Sequence, residues 1–277
     1  AAGMMGAAVG EGPFAIIVGI IGWRQTMVLI GFIILILGAL IMLLVRDKPS
    51  KDILVGEDIK SGPGIWECLK EVIKNPQSWY NGIFVGLLYA PTAAFAELWG
   101  VPFLTETYGM STEIAASGIS VIFLGWAIGG PIIGWISDKQ MKRKPTMMLS
   151  AILSVITLSA ILYIPGLNTT MLFILLFLYG VSNTGAATSY ALSSEINKPE
   201  VSGTSIAFAN MASVIIGSSF QPIIGKILDS TWDGAILNGA PIYSIDSYHK
   251  ALYLLPLCLI LAFFITFKIK ETNCKGI

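Results

Sequence analysis

The chain has 277 residues, of which 55% are hydrophobic and 12% are charged, and its mean hydropathy is +0.75. A soluble globular protein carries about 25% charged residues, so this composition excludes an ordinary soluble domain and indicates a membrane protein. Seventeen basic residues balance 17 acidic ones, which gives no sign of the basic surface that a nucleic-acid-binding protein needs. The three cysteines lie far apart and predict neither a metal site nor a disulfide.

Eight stretches of the chain are long and apolar enough to cross a membrane. A spanning helix needs about 20 mostly apolar residues, because the hydrocarbon core is about 30 Å thick and each residue rises about 1.5 Å. The sequence therefore predicts an all-α, polytopic membrane protein. Its first residues already belong to an apolar run without a charged leader, so we expect residue 1 to be an internal cut in a longer protein. The predicted spans are 3–23, 26–45, 79–105, 112–137, 146–165, 169–194, 203–228 and 247–269.

The basic residues divide unequally between the two sides of the membrane. Arg24, Lys226 and Lys250 fall on one side, and the other lysines and arginines fall in the segments on the opposite side. The positive-inside rule makes that opposite side, with the C-terminus, cytoplasmic. The layout is two helices in 1–45, a cytoplasmic linker in 46–78 and a six-helix half in 79–277. Within the linker, residues 65–73 fit either a short amphipathic helix on the membrane surface or a partly ordered connection.

Two segments share the pattern Pro-Ile-Ile-Gly-x-Ile-x-Asp. The first is Pro131–Asp138, at the end of the fourth predicted span, and the second is Pro222–Asp229, at the end of the seventh. These two spans run in opposite directions, so the match predicts an inverted repeat of three helices, which many secondary transporters use for alternating access. Chance is the alternative, because the chain is rich in Gly and Ile.

The loop after the fourth predicted span carries the most specific motif. Residues Gly134–Lys144, with the sequence GWISDKQMKRK, resemble the cytoplasmic signature of the major facilitator superfamily. That signature has a glycine, three residues, an aspartate, a base, and then a glycine and more bases. Met141 stands where the signature usually has its second glycine, a departure that affects the tightness of the turn. Gly22-Trp23-Arg24 and Glu195–Pro199 resemble two further loops of the superfamily.

The resemblance implies a fold and a location. The chain corresponds to helices five to twelve of a twelve-helix bundle, which predicts a multi-pass protein of a bacterial inner membrane. The segment Tyr89–Gly100 is similar to a nutrient-permease branch of the superfamily found in intracellular gammaproteobacteria.

Four residues of the signature loop are candidates for a cytoplasmic gate: Gly134, Asp138, Lys139 and Arg143. Gly134 would let helices approach closely. Asp138 would lie against Arg143 or against the N-terminus of a neighbouring helix, and a charge pair that forms in one conformation only can bias a two-state equilibrium. The alternative is that the bases only anchor the loop on the cytoplasmic side.

Two acidic residues lie well inside predicted spans, away from their ends, where a charge is costly and usually faces a cavity. Tyr89, Ala93 and Glu97 follow one another at intervals of four and predict a shared helix face. Glu97 is a candidate proton carrier or substrate contact, and the alternatives are a salt bridge or a solvated position at the mouth of the cavity. Glu11 lies between two glycines and either titrates or is simply flanked by glycines that pack another helix. Tyr89 and Trp126 are candidate walls of the pocket.

A polar stripe follows the seventh predicted span. Asn210, Ser213, Gly217 and Gln221 share one helical face, which predicts either the lining of a cavity or contact with a partner helix. Asn183, near the middle of the sixth predicted span, is a candidate substrate contact at the membrane midplane.

The sequence contains no catalytic motif and no phosphate-binding loop, so it predicts neither an enzyme nor a nucleotide-driven pump, and no cofactor or metal. An ion gradient remains as the energy source. We therefore predict a monomeric secondary active transporter that takes up a small polar solute, coupled to protons, by alternating access. The alternatives are a membrane receptor or assembly factor on a transporter-like scaffold and, among transporters, drug or metabolite efflux.

Overall fold

The computed structural model describes residues 1–45, 64–237 and 240–275. Within these ranges the protein is built almost entirely from helices. A π-helical stretch, Thr92–Trp99, joins α4 to α5, and the two-residue strands Ile236–Leu237 and Ala240–Pro241 pair in antiparallel orientation. The α-helices are α1 (Ala2–Ile21), α2 (Trp23–Leu44), α3 (Ile65–Lys74), α4 (Pro76–Pro91), α5 (Gly100–Tyr108), α6 (Thr112–Gln140), α7 (Lys144–Tyr163), α8 (Thr169–Ser182), α9 (Gly185–Glu195), α10 (Ser202–Ser230), α11 (Ile245–Leu252) and α12 (Leu254–Ile265).

The eight predicted spans are confirmed in the described part of the chain. The third is a composite of α4, the π-helical stretch and α5, and the sixth is broken between α8 and α9. The largest shift of a boundary is at the seventh, which begins at Pro199 because the loop before it forms its own 3-10 turn. The observed spans are Ala2–Ile21, Trp23–Leu44, Pro76–Tyr108, Thr112–Gln140, Lys144–Tyr163, Thr169–Glu195, Pro199–Ser230 and Ile245–Lys268.

The last six spans pack together around one apolar core. Large side chains such as Phe84, Phe103, Met147 and Tyr179 are fully buried in it. Helix α10 packs along α4, and α6 packs along α8. Helix α1 joins this unit through α6, whereas α2 is exposed along nearly its whole length, with Thr26 as its buried residue. An apolar helix that is this exposed must face lipid or a further helix, because water would not solvate it.

Glycines set the closest helix contact of the bundle, between α6 and the broken sixth span. A Cβ at Gly129 would lie 2.9 Å from the Cα of Val181, and Gly125 on the same face has equally close backbone neighbours. Gly134 makes no close helix contact among the described residues, since nothing there lies within 4 Å of a Cβ at this position. The reason is angular: Gly134 is five residues beyond Gly129, which places it about 140° around the helix, away from the partner.

The predicted amphipathic helix of the linker forms as α3. Its buried face carries Cys68 and Val72, which pack against Val201 and Phe208 at the start of the seventh span. Trp66 on the opposite face is exposed. Helix α3 ends directly before α4, which begins at Pro76, so the third span starts three residues before the predicted boundary. The rest of the predicted linker, 46–63, lies outside the described residues.

Candidate functional site

Tyr89 and Glu97 meet on the third span. The Tyr89 hydroxyl donates a hydrogen bond to the Glu97 carboxylate, as the prediction of a shared face requires. The π-helical stretch carries Glu97, and its end is marked by the Gly100 N–H, which bonds five residues back to the Phe95 carbonyl. Stretches of π-helix are rare and occur frequently at functional sites. The Glu97 side chain is exposed, whereas Ala93 between the two partners is buried.

Trp126 of α6 stands edge-to-face with Tyr89. Their ring centroids lie 6.4 Å apart, and the planes meet at 87°. Trp126 is only 8% exposed, and its indole Nε1–H has no acceptor among the described residues. Leaving a buried donor unpaired costs about 1–3 kcal/mol. The tryptophan therefore holds a free donor next to the Tyr89–Glu97 pair.

Glu11 of α1 is half-buried, and Glu97 is near enough for the two carboxyl groups to interact electrostatically. Its helix is held in place by the backbone of Gly12, whose N–H donates to Ser120 Oγ over 2.6 Å. A Cβ at Gly12 would lie 3.1 Å from the Cα of Ser117, so this glycine does pack another helix. We call Glu11, Tyr89, Glu97 and Trp126 the carboxylate cluster.

The polar stripe of α10 divides into two parts. At one end, Tyr190 of α9 donates to Asn210 Oδ1 over 3.2 Å and lies 3.3 Å from Ser213 Oγ. Asn210 is exposed and Ser213 is buried. This end of the stripe therefore presents one amide on an open face, supported by a tyrosine from the neighbouring span.

The other end of the stripe contacts a partner helix. Gln221 Nε2 donates to the Ala93 carbonyl over 2.9 Å, and a Cβ at Gly217 would lie 3.1 Å from the Tyr89 ring. The glutamine thus satisfies a carbonyl inside the π-helical stretch, and Gly217 makes room for Tyr89. Through these contacts, both residues of α10 help to position Tyr89 and the π-helical stretch that carries Glu97.

Asn183 is fully buried at the break between α8 and α9. Its Nδ2 donates to the Leu88 carbonyl over 3.0 Å and to Ser154 Oγ over 3.3 Å, and its Oδ1 accepts from Thr92 Oγ1 over 3.3 Å. In this conformation every polar group of the amide has a protein partner. Asn183 therefore ties two interrupted spans together and lies behind the surface on which we expected it to contact a substrate.

A second polar site forms around Arg143, at the end of the bundle that we predict to be cytoplasmic. Its Nη2 lies 2.5 Å from Glu195 Oε1, and its Nη1 lies 2.6 Å from Asp138 Oδ1. Nε also donates to both Glu195 oxygens, and Nη1 donates to Ser137 Oγ over 3.0 Å. Burial alone would lower the pKa of Arg143, but the hydrogen bonds to Glu195 and Asp138 outweigh it and raise the pKa.

The C-terminal segment docks onto this site. The Glu271 carboxylate accepts from the backbone N–H of Arg143 over 2.8 Å and of Lys144 over 2.9 Å, which caps the first turn of α7. Thr272 Oγ1 donates to Glu195 Oε2 over 2.5 Å. Burial would raise the pKa of Glu271, but the backbone donors outweigh it and lower the pKa. We call Asp138, Arg143, Glu195, Glu271 and Thr272 the arginine cluster.

Two other residues of the signature loop lie outside these contacts. Lys139 Nζ stands 4.8 Å from the centre of the Trp135 ring and makes no ion pair among the described residues. Met141 adopts the left-handed backbone conformation, with φ of 52°, that the usual glycine would adopt without strain. The turn therefore places a methionine in a backbone conformation that glycine adopts more readily.

The two copies of the repeated pattern use their aspartates in parallel ways. Their helices, α6 and α10, are both 29 residues long with an internal proline. Asp138 accepts from Arg143 after the first copy, and Asp229 accepts from the Tyr243 hydroxyl over 2.6 Å after the second. That hydrogen bond raises the pKa of Tyr243 to about 12. Each aspartate thus ties the end of its helix to the segment that follows.

Glu195 and Glu271 were missed as site residues by sequence reasoning. Glu195 follows a span that carries no other charge, and Glu271 lies in a short tail rich in charged residues. The sequence gives no local sign that Glu195 meets Arg143, because the two residues lie 52 positions apart. Nothing local distinguishes Glu271 from its neighbours.

Comparison with known proteins identifies relatives of this chain. It is 24% identical over 253 residues to the membrane sensor protein UhpC of Escherichia coli, covering 85% of this chain and 56% of the relative. The UhpC protein of Salmonella typhimurium gives the same values. An MFS-type efflux pump of Mycolicibacterium smegmatis is 24% identical over 220 residues, covering 77% of this chain and 50% of the relative. The chain thus spans about half the length of these relatives.

Solved structures share the fold. A bacterial homologue of the human lysosomal transporter Spinster, in an inward-facing and unoccupied conformation, superposes with a TM-score of 0.66 at 17% identity. The superposition covers 90% of this chain and 59% of the homologue. The occupied inward-facing form gives a TM-score of 0.62. A sequence model of the Major Facilitator Superfamily matches residues 1–222, and the chain belongs to this superfamily.

Proposed function

We propose that the protein is a secondary active transporter that takes up a small polar solute by alternating access and couples uptake to protons at Glu97. The observation that carries this proposal is the carboxylate cluster itself. Glu97 lies on a π-helical stretch inside a membrane span, and within the described ranges its one hydrogen bond is to Tyr89. A membrane-embedded carboxylate that no base neutralises is costly and is usually retained for a function such as proton transfer or substrate binding.

The interruptions of two spans support the same proposal. Substrate sites in transporters lie where helices are discontinuous near the midplane. Here the π-helical stretch and the α8–α9 break are adjacent, because Asn183 at the break bonds to Leu88 and Thr92. Such a junction can hold two arrangements of the helices that carry Glu97 and Tyr190.

The arginine cluster fits the role of a lock for one conformation. It ties three spans and the C-terminal segment together at one end of the bundle. If the hydrogen bonds and ion pairs of this cluster form in one conformation and are lost in the other, they favour the first conformation by the free energy that they contribute to it. We propose that this end faces the cytoplasm of a bacterial inner membrane, and that the protein works as a monomer.

The test is transport by the purified protein, expressed with any sequence that its gene encodes before Ala1. After reconstitution into liposomes, an imposed inward proton gradient should drive accumulation of at least one solute from a panel of nutrients. The Glu97→Gln variant should lose gradient-driven accumulation but keep solute exchange between equal pools. Glu113→Gln, an exposed acid at the start of α6, is the matched control and should transport normally.

Two results would contradict the proposal. Normal gradient-driven accumulation by Glu97→Gln would remove Glu97 from the coupling step. A protein that moves no solute in any direction, although it is folded and inserted, would exclude transport. Outward movement of the solute against a gradient would instead support efflux, the activity named for the Mycolicibacterium relative.

A membrane sensor is the second candidate, and the UhpC relatives favour it by name. The docking of Glu271 and Thr272 would let the C-terminal segment report the conformation of the bundle. A sensor should bind its solute and change the exposure of this segment without moving the solute. A label on Cys274, a half-buried residue beside Ser137, would report that exposure in the same liposomes.

A further inference from the structure

We propose that the outer face of α3 binds the headgroup of an anionic phospholipid, at the end of the bundle that we predict to be cytoplasmic. The outer face is the row formed by Trp66, Lys70, Ile73 and Lys74. The occupant is a lipid of the surrounding bilayer, so the inference does not depend on the solute or on transport. It is carried by the orientation of the helix, by its exposed apolar side chains and by the distribution of its charges.

Contacts with the loop before the seventh span fix the orientation of α3. The inner side chains of the helix pack against the apolar start of that span. On its flank, Glu71 forms an ion pair with Lys198 over 2.9 Å. At its end, Asn75 Nδ2 donates to the Ile196 carbonyl over 2.7 Å. These contacts hold α3 in one rotational setting, in which the outer face points away from the bundle.

The apolar part of the outer face lies where the third span begins. Trp66 and Ile73 are 74% and 44% exposed, and their spacing places them on one line along the helix. Trp79, in the first turn of α4, is also exposed and donates its Nε1–H to the Ile73 carbonyl over 2.8 Å. Tryptophan is enriched at the level of the lipid headgroups. These side chains therefore mark the membrane interface, where an apolar surface meets acyl chains instead of water.

The acids of this region are engaged in contacts within the protein. Glu67 accepts a hydrogen bond from the Gly64 N–H over 3.2 Å at the start of α3. Glu71 is held in its ion pair with Lys198, and Glu200 lies close enough to interact with the same lysine. The negative charges are therefore directed at the helix N-terminus and at the loop beside α3.

The bases of α3 remain open to the outside. Lys70 and Lys74 are exposed, and neither forms an ion pair in the described part of the chain. They follow Trp66 at intervals of four, so they lie beside the apolar line. Bases next to tryptophan on an amphipathic helix are typical of a segment that lies in the headgroup layer and attracts anionic lipids.

The C-terminal segment brings two further lysines to this end of α3. Gln77, three residues beyond Lys74, donates from Nε2 to the Lys268 carbonyl over 3.3 Å and accepts from the Lys270 N–H over 2.8 Å. Both of these lysines are exposed, and neither forms an ion pair with a described residue. The acid that follows them, Glu271, is used in the cap of α7. One edge of the bundle thus presents four bases.

A phospholipid fits this surface better than a soluble anion does. A free phosphate would contact the lysines but would leave Trp66 and Ile73 without a partner. A phospholipid uses both parts, because its phosphate lies at the level of the ammonium groups and its acyl chains lie beside the apolar line. Each lysine close to an anionic membrane surface strengthens binding about fivefold.

The experiment compares three probes on the purified protein, expressed with any sequence that its gene encodes before Ala1 and kept in a neutral detergent. Dihexanoylphosphatidylglycerol has an anionic headgroup, dihexanoylphosphatidylcholine has the same chains on a zwitterionic headgroup, and inorganic phosphate has no chains. Tryptophan fluorescence and the melting temperature report binding. We expect the phosphatidylglycerol to bind at least about fivefold more tightly than the phosphatidylcholine, and inorganic phosphate to compete with neither.

The variants separate the contributions of charge and apolar contact. Lys70→Gln combined with Lys74→Gln should lower the preference for phosphatidylglycerol about fivefold or more, whereas Lys70→Arg combined with Lys74→Arg should keep it. Trp66→Ala should weaken both lipids equally, because both lose the same apolar contact. The control is Lys226→Gln, which changes an exposed lysine at the other end of α10 and should bind as the wild type does.

Several outcomes would overturn the lipid site. Equal affinities for the two lipids, or an unchanged preference in the folded double glutamine variant, would do so. If that variant does not fold, a wild-type preference that high salt leaves unchanged would contradict the charge contact. Competition by inorganic phosphate would assign the lysines to a soluble anion, and a dimer that Trp66→Ala dissociates would make a second copy the occupant. These readouts need no solute, so failure of the lipid site is distinguished from failure of the proposed transport.

Discussion

The arginine cluster and the carboxylate cluster are the two polar centres of this bundle, and they are built in opposite ways. Around Arg143, each of its three guanidinium nitrogens donates to an oxygen, and the helix N-terminus beside it is capped by Glu271. Around Glu97, no lysine or arginine forms an ion pair with the carboxylate among the described residues, and one indole N–H has no described acceptor. A satisfied network stabilises one arrangement of helices, whereas an unsatisfied one can bind a solute or a proton.

The largest effect on stability is expected at the arginine cluster. Arg143→Ala leaves Glu195 buried, with its side chain 11% exposed, and without its cation. Removing one partner of a buried ion pair costs about 3–5 kcal/mol, so the melting temperature of the purified protein should fall strongly. Asp138→Asn is the control: its side chain is 68% exposed, and the loss should stay below about 1 kcal/mol.

A double variant sharpens this test. Arg143→Met combined with Glu195→Met removes both buried charges, and it should recover most of the stability that Arg143→Ala loses. A double variant as unstable as the single one would show that the hydrogen bonds to Ser137 and Thr272, rather than the ion pair, hold this end of the bundle.

The next effect depends on pH and concerns the docked C-terminal segment. The pKa of Glu271 lies below its usual value of 4.5, so its contribution is complete at neutral pH and is lost as the pH falls below about 4.5. Glu271→Ala should cost about 1 kcal/mol at pH 7, the usual value of a helix cap, and nothing once the wild-type carboxyl is protonated. Hydrogen exchange at the Lys144 amide, compared between the wild type and Glu271→Ala, measures the loss of the cap. An effect of Glu271→Ala that is equal at pH 7 and at a pH where the wild-type carboxyl is protonated would contradict the capping role.

A smaller gain is expected in the signature turn. Met141→Gly should raise stability by about 1 kcal/mol, because glycine adopts the left-handed conformation without the steric cost that other residues bear. Lys142→Gly is the matched control, since Lys142 is not among the described residues with positive φ, and it should give no gain. Unfolding curves of the two variants under identical conditions make the comparison.

The smallest effect on stability is expected at the carboxylate cluster. Glu97→Gln keeps an acceptor for the Tyr89 hydroxyl on an exposed side chain, so it should change stability by less than about 1 kcal/mol. A loss as large as that of Arg143→Ala would show that Glu97 is structural. That result would remove the contrast between the two clusters.

Local pattern predicted much of the fold. The eight spans follow from apolar length, and each predicted boundary lies within four residues of the observed one. The facing of Tyr89 and Glu97, and the pairing of Asp138 with Arg143, join residues that lie eight and five positions apart. Both pairs are close in the chain, so the geometry of one span and of the turn that follows α6 decides which side chains meet.

The tertiary structure decided the rest. Glu195 and Glu271 lie 52 and 128 positions from Arg143, and only the packing of four chain segments brings them to it. The same holds for Asn183. We expected it on the surface of a cavity, but its side chain is buried and donates to the Leu88 carbonyl of the interrupted third span.

Hydropathy and spacing by themselves therefore predicted eight membrane spans with acids inside some of them, which the described part of the chain confirms, and a resemblance in one loop indicated the facilitator superfamily. This was possible because the hydropathy of a span is a property of its own residues and does not depend on how the spans pack. Which acids end up neutralised by an arginine and which remain open to a solute depends on contacts between spans. Those contacts exist only after the helices have packed.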